Sequence, residues 1–295
     1  MVKVRIGVAA GPGVADDPKQ FLGLVDALDD LGYDSIWIPD VITSGVLDPV
    51  AALSVAAGRR QRLKVGTHLI VPGRDPVRLA KELATLDQLS EGRLLLLAVL
   101  GLRQPAELDA QAVEASARSR MLEESLHIMR TLWSGDELHF EGEFHRYSGT
   151  TLAVRPHQDP LEVWLGGMVP ASLRRCGKIG EGWMPGMVTP TEAHEARLAI
   201  DAAAAAAGRA IDGEHFGMNV QWVDEMTDEV RAAVATRRPE GKAEDFVGVG
   251  AEGLADKLEG FLEVGFSKFV VRPLLQPSSW PSAVESVSKV LELQN

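Results

Sequence analysis

Short apolar runs of strand length alternate with longer segments of helical periodicity along the whole chain, and few architectures accept that rhythm. Strand followed by helix, repeated, is the signature of a parallel α/β sheet. Residues 4–9 read as the first strand, closed by Gly11-Pro12-Gly13. Phe21, Leu24, Val25 and Leu28 then recur at helical spacing, and Gly32 ends that helix. Residues 35–38, 64–71 and 93–99 read as the next strands. Between them, Pro49 opens a short Ala-rich helix ended by Gly58, and residues 76–90 carry Leu79, Leu83 and Leu86 on one helical face. The strand at 93–99 is too apolar to alternate, as expected of a strand buried on both sides.

After a polar loop, residues 118–134 predict a helix with Leu122, Leu126, Met129 and Trp133 as its buried stripe. Residues 138–154 break the rhythm and read as a hairpin-like insertion near 136–155. Strands are expected again at 161–165, 182–184, 216–223 and 268–272, with helices at 192–207, 254–264 and 283–293. The alanine run at 202–207 fits a surface helix, because alanine is the best helix former. Eight strand–helix pairs follow one another with no Pro/Ser-rich linker and no tandem repeat. That favours a closed (β/α)8 TIM barrel, a single domain over residues 1–295, over an open doubly wound sheet.

A chain of 295 residues that is 45% apolar can bury a core of that size. Its 30 basic and 42 acidic residues leave a net charge of −12 with no long basic stripe, so nucleic acid and anionic membrane surfaces are poor partners. Cys176 is the only cysteine, which excludes an intrachain disulfide and a cysteine-rich metal cluster. The longest apolar run, residues 94–100, is far short of the ~20 residues of a membrane helix. The N-terminus runs straight into a strand pattern without a secretory apolar region. The expectation is a cytoplasmic protein with a small-molecule substrate, compatible with a homodimer.

Several segments then resemble one family in consistent order over roughly residues 1–275. They are LVDALDDLGYDSIWIPD, THLIVPGRDPVRLAKELATLDQLSEGRLLL, SARSRMLEESLHIMRTLWSG, EFHRY, VWLGGMVPASLRRCGKIGEGWMP and GFSKFVVRP. Together they are similar to the luciferase-like monooxygenase superfamily, and within it to the coenzyme F420-dependent oxidoreductases. The resemblance implies a bacterial luciferase-like barrel that holds a flavin or deazaflavin at its C-terminal mouth, where barrel enzymes keep their chemistry.

Gly166-Gly167 follows a strand and precedes a helix carrying Ser172, Arg174 and Arg175. By themselves these residues fit either an ordinary strand–helix turn or a phosphate cradle at a helix start. The resemblance implies the cradle, with Met168 beside it and Ser172 as a further contact. It also places Gly182-Trp183 near the cofactor's tail, although that tryptophan equally suits the core. Leu100 and Gly101, after the fourth strand, are further implied cofactor contacts. At the end of the third strand, the resemblance implies a cis peptide at His68–Leu69 supporting the ring. Such a bond costs about 3–4 kcal/mol and persists only where its surroundings enforce it. His68 suits either cofactor contact or a strand-end polar group, and no histidine or carboxylate cluster has metal-ligand spacing. His139, His145 and His157 read as surface.

Two departures narrow the substrate. Sugar-phosphate-oxidising relatives carry a histidine after the aspartate that ends the second strand, where this chain has Asp40-Val41. They carry a glutamate after the fourth strand, and the nearest aligned residue here is Arg103. That acid/base pair is missing, so oxidation of a sugar phosphate is not expected. Asp40 suits an acid or a polar anchor, and Arg103 an anion contact or a solvated loop residue. Arg272, at the end of the last strand, either binds an anion or closes a structural salt bridge. Arg74, Arg103, Arg174, Arg175, Lys178 and Arg272 supply local positive charge for an anionic deazaflavin. The reading implied by the resemblance is hydride transfer between coenzyme F420 and a small organic substrate. The alternatives are an FMN-dependent monooxygenase of the same fold and a non-catalytic flavin-binding protein.

Overall fold

The structure, a computed structural model, describes residues 3–11 and 13–294, so Pro12 of the expected first turn lies outside the described residues. In chain order the elements are β1 (Arg5–Ala9), α1 (Pro18–Leu31), β2 (Ser35–Pro39), α2 (Pro49–Arg59), β3 (Lys64–Ile70), α3 (Pro76–Leu89), β4 (Leu94–Val99) and α4 (Pro105–Gln111). Then come α5 (Arg118–Ser134), β5 (Leu138–Glu141), β6 (Arg146–Thr150), β7 (Val163–Leu165), α6 (Pro170–Ile179), β8 (Gly182–Trp183), α7 (Pro190–Ala206) and β9 (Gly217–Val223). The last are α8 (Asp228–Arg237), α9 (Ala243–Phe246), β10 (Val247–Val249), α10 (Gly250–Glu263), β11 (Lys268–Pro273), α11 (Trp280–Ser286) and a 3-10 helix, Ser288–Leu293.

Three helix starts follow one local recipe. Asp17, Asp48 and Asp75 each precede a proline and accept backbone N–H groups of the first turn of α1, α2 and α3. The proline has no N–H to lose there and its φ is already helical. Gly32 and Gly135 close α1 and α5 in the left-handed conformation.

The chain forms two compact units, Ile38–Glu162 and Met1–Trp37 with Val163–Asn295. In the first, β3 and β4 pair in parallel without interruption from Val65↔Leu94 to Ile70↔Val99. The buried stripes of α3 (Leu79, Leu83, Leu86) and α5 (Leu122, Leu126, Met129, Leu132) belong to the same unit. Trp133 Nε1 donates to the Ala80 carbonyl at 3.0 Å, which ties α5 to α3. Arg93 donates to the carbonyls of Ala57, Arg60, Leu63 and Ser90, closing the bottoms of the loops around β4. The antiparallel β5–β6 hairpin, paired Glu141↔Arg146 at its tip, belongs to this unit.

In the second unit, β2, β1, β11, β9 and β10 are successive parallel neighbours. β7 pairs with β8, and the bridges Trp183↔Phe216 and Gly186↔Asn219 join β8 to β9. Trp183, Phe216, Phe261 and Phe266 form its aromatic core, with ring centroids 6.0–6.1 Å apart. Cys176 is buried here, and burial pushes its thiol up to about 12.

Four expectations from the sequence need correction. The polar loop before α5 contains the short helix α4, whose apolar periodicity is too brief to register. β10, α8 and α9 fill the interval between β9 and α10 that had no assigned elements. The final helix breaks at Val287 into α11 and a 3-10 turn. His145, read as surface, is half-buried and stacked near Tyr147, and burial lowers its pKa against the opposing pull of Glu124 and Asp75. Among the described residues no helix is long and apolar enough to cross a membrane, and no cluster of His, Cys, Asp and Glu is arranged to hold a metal.

Candidate active site

The first group of candidates lies in the Ile38–Glu162 unit, at the C-terminal ends of its strands. Asp40, immediately after β2, is 8% exposed. Its Oδ2 accepts from the Ile70 N–H at 3.0 Å and from Arg74 Nη2 at 2.9 Å, while its own N–H donates to the His68 carbonyl at 3.0 Å. Arg74 is fixed in turn by donating Nε to the Ile70 carbonyl at 3.0 Å. Burial pushes the Asp40 carboxyl above its ordinary value, and Arg74 and the Ile70 N–H oppose that shift without reversing it. Oδ1 makes no hydrogen bond among the described residues. Asp40 is thus a positioned carboxyl with one oxygen engaged and one available.

The peptide at His68–Leu69 is trans, contrary to the expectation from the resemblance; the one cis bond among the described residues is Asp159–Pro160. The uninterrupted pairing of β3 with β4 through His68↔Leu97 and Leu69↔Ala98 leaves no bulge to enforce the costly isomer. His68 is half-buried on that strand, and Leu69 is fully buried, so it offers no exposed side-chain surface to a ligand.

The segment after β4 is organised by three buried polar side chains that the sequence did not single out. Glu107 of α4 accepts from the Ile42 and Thr43 N–H groups at 3.1 and 2.7 Å and from Thr43 Oγ1 at 2.5 Å. Burial alone would raise its carboxyl, but these donors and the nearby Arg118 hold it below its ordinary value. Gln111 donates Nε2 to the carbonyls of Pro72 and Leu100, both at 3.0 Å. Arg118, 3% exposed, donates to the carbonyls of Val113 and Leu102 at 3.2 and 2.9 Å. Gly101 sits at φ 87°, and a Cβ there would lie 2.6 Å from Gln111 Oε1, so only glycine fits this turn. Leu100 and Gly101 are half-buried, while Arg103 is exposed and makes no hydrogen bond or ion pair among the described residues.

Glu107→Ala should strip three donors of their acceptor and lower unfolding stability by about 2–4 kcal/mol. Glu107→Gln, which keeps one carbonyl oxygen, should lose about half as much. Urea denaturation of the three proteins measures both, and equal stability of Glu107→Ala and wild type would show the staple to be inert.

The second group lies in the other unit. Gly166 and Gly167 follow β7 and lead into α6, with Gly167 exposed at φ 96°. A Cβ there would lie 2.8 Å from Ser172 Oγ and 3.0 Å from Ser172 Cβ. The α6 start has Pro170 and no side-chain cap. Ser172, 8% exposed, donates Oγ to the Val169 carbonyl at 2.8 Å, which holds the first turn closed. Met168 is half-buried beside it. Trp183 is fully buried and packs near Phe266, and its Nε1 donates to the Gly167 carbonyl at 3.1 Å. This corrects the expectation of direct contact: Trp183 supports the Gly167 turn from inside the core. Gly182 is also buried, with Trp164 occupying the space of a Cβ at 2.3 Å. A surface depression of about 700 Å³ lined by Arg231, Ala235, Gly241, Lys242, Ala243 and Glu244 contains none of these residues.

Parallel β/α units with glycine turns and a buried carboxylate, Asp40, at a strand end are the construction of a barrel enzyme. The sequence profile of the luciferase-like monooxygenase family matches residues 1–259, and the chain belongs to that family. An F420-dependent glucose-6-phosphate dehydrogenase from Nakamurella multipartita is 29% identical over 280 residues, 86% of this chain and 79% of that protein. Two solved structures share the fold over nearly the whole chain. An F420-dependent secondary alcohol dehydrogenase in complex with an F420–acetone adduct has a TM-score of 0.82 at 18% identity, covering 98% of each chain. The oxygenating constituent of 3,6-diketocamphane monooxygenase from Pseudomonas putida, in complex with FMN, has a TM-score of 0.74 at 17% identity, covering 97% of each chain. The fold is the bacterial luciferase-like (β/α)8 barrel.

Proposed function

We propose that this protein is a cytoplasmic oxidoreductase that moves a hydride between coenzyme F420 and a small organic substrate, with residues 1–295 acting as one catalytic domain. The observation that carries the reading is the exposed Gly167 turn, with left-handed φ, no room for a Cβ and an uncapped helix start behind it. Such a turn fits a phosphate, because a bare backbone lets an anion approach closely and the N-terminal end of a helix favours negative charge. Arg174 and Arg175 lie in the same helix and add positive charge to a chain of net charge −12.

When bound, the deazaflavin supplies the carbon that takes up or releases the hydride. Gly166, Gly167 and Met168 would hold its phosphate, with Ser172 and Trp183 keeping the turn in shape. Within the Ile38–Glu162 unit, Leu100 and Gly101 stand in the loop that Gln111 and Arg118 brace and are candidates for cofactor contact. Asp40 is the group on this chain suited to proton transfer, since its Oδ2 is pinned and its Oδ1 is available. Its raised pKa moves it from a permanently ionised carboxylate toward a group that can take and return a proton. Ile42 and Leu102, large apolar residues that are 44% and 41% exposed, lie in loops braced by Glu107 and Arg118 and are available to keep water from the reaction.

The alternative with specific support is an FMN-dependent monooxygenase, because the fold is shared with an FMN complex and the glycine turn suits either phosphate. Titration of the purified apoprotein with F420 and with FMN, read by fluorescence quenching, separates the two. F420 is expected to bind at least tenfold more tightly, and preference for FMN would overturn the deazaflavin assignment. A panel of secondary alcohols and hydroxy acids, followed by bleaching of oxidised F420, then tests turnover.

A further inference from the structure

Arg272 lies near the C-terminal end of β11, half-buried. In a chain with 42 acidic residues it makes no hydrogen bond and no ion pair among the described residues. The structural salt bridge considered for it from the sequence is not formed among the described residues. Its partner in the parallel register is Gln221 of β9, which is 5% exposed and whose Oε1 is buried without a donor. Registered residues on neighbouring strands project from the same face about 4.8 Å apart. Two unsatisfied polar side chains therefore stand side by side where strands of this fold end. The charge nearest in effect to Arg272 is another cation, Arg237 of α8, and burial and that cation together hold the Arg272 guanidinium below its ordinary value. A half-buried cation that feels a second cation and has no ion pair among the described residues destabilises the free protein.

We propose that Arg272 and Gln221 form a binding subsite for a hydroxylated organic anion, the guanidinium holding a carboxylate or phosphate and Gln221 Oε1 accepting from an adjacent hydroxyl. The division of labour follows from what each group lacks. A guanidinium offers only donors, in a fork that matches an oxyanion, whereas the orphaned atom of Gln221 is an acceptor. Assigning that anion to the substrate rests on the oxidoreductase reading, since the phosphate and carboxylates of F420 present the same oxyanion chemistry. The substrate class becomes a hydroxy acid or a phosphate ester of a polyol rather than a neutral alcohol.

Calorimetric titration of the apoprotein with lactate and with glycerol phosphate, each an oxyanion near a hydroxyl, tests this directly. At least one should bind the wild type, and propane-1,2-diol should not. Arg272→Met should weaken that binding at least tenfold and Gln221→Leu a few-fold. Because Arg272 has no partner to lose, the melting temperature of Arg272→Met should equal or exceed that of the wild type. The affinity of Arg272→Met for F420 should stay within threefold of wild type. Three results would each overturn the subsite: no binding of either anion, unchanged anion affinity in Arg272→Met, or a melting temperature several degrees lower with binding intact. A tenfold loss of F420 affinity with anion binding unchanged would give the oxyanion to the cofactor and overturn the substrate assignment. A wild type that binds neither F420 nor FMN sinks the oxidoreductase reading, yet the lactate and glycerol phosphate comparison still reads Arg272 and Gln221.

Discussion

Asp40→Asn should lower turnover with F420 at least a hundredfold while leaving F420 affinity within threefold of wild type. Removing a positioned general acid or base typically removes about 10²–10⁴ of rate. Asparagine keeps the shape of the side chain and an oxygen to accept from Ile70 and Arg74, so the loop should stay in place. It cannot exchange a proton at the position of Oδ1. The wild-type rate should also fall on the acid side as Asp40 protonates. That limb should lie above the ordinary aspartate value of 3.8, because burial disfavours the charged form in the folded protein. The measurement is initial rate against pH for both proteins on whichever substrate of the panel the wild type turns over. If Asp40→Asn retains more than a third of the rate, Asp40 is an anchor for the β3 loop and the proton passes elsewhere.

Gly167→Asp should reduce F420 affinity at least a hundredfold, which is about 2.7 kcal/mol. Two separate effects meet at this residue, and a paired variant resolves them. Any side chain at φ 96° is strained by about 1–2 kcal/mol and must push Ser172, whose Oγ would lie 2.8 Å from the new Cβ. Gly167→Ala carries that same strain without charge. Both variants should therefore melt lower by a similar amount, and alanine should weaken F420 about tenfold or less. The further loss in the aspartate variant reads the repulsion between its carboxylate and a phosphate. Titrating F420 into the two variants and recording both melting curves is sufficient. Equal affinity for the alanine and aspartate proteins would remove the phosphate from this loop.

Gly167 also illustrates what a sequence can carry. A glycine pair between a strand and a helix is readable because positive φ and close backbone approach exclude other residues, and the structure places Gly167 in that conformation. The β/α rhythm is readable for a similar reason: strands buried on both faces and helices with one apolar stripe leave local periodicities of their own. The helix α5 and its stripe of Leu122, Leu126, Met129 and Trp133 needed nothing from the rest of the chain to be recognised. Pro49 and Pro76 marked helix starts because proline is tolerated only in the first turn.

Contacts between residues distant in sequence left no such mark. Glu107 lies in a segment that reads as an ordinary polar loop, and only folding brings it to the N–H groups of Ile42 and Thr43, 65 and 64 residues away. Trp183 suited core and cofactor equally until its burial, and its hydrogen bond to Gly167, decided for the core. The trans bond at His68–Leu69 depends on how β4 pairs alongside β3, which composition does not express. Arg272 suited an anion site and a salt bridge equally from the sequence, and only the fold registers it with Gln221 and leaves it without an ion pair among the described residues. By itself the sequence determined where most strands and helices form, though not α4, α8, α9 and β10, and which glycines and prolines bound them, because those are properties of a few adjacent residues. The tertiary structure alone decided which polar groups are buried, paired or left without a partner, because hydrogen bonding and desolvation depend on neighbours brought together from across the chain.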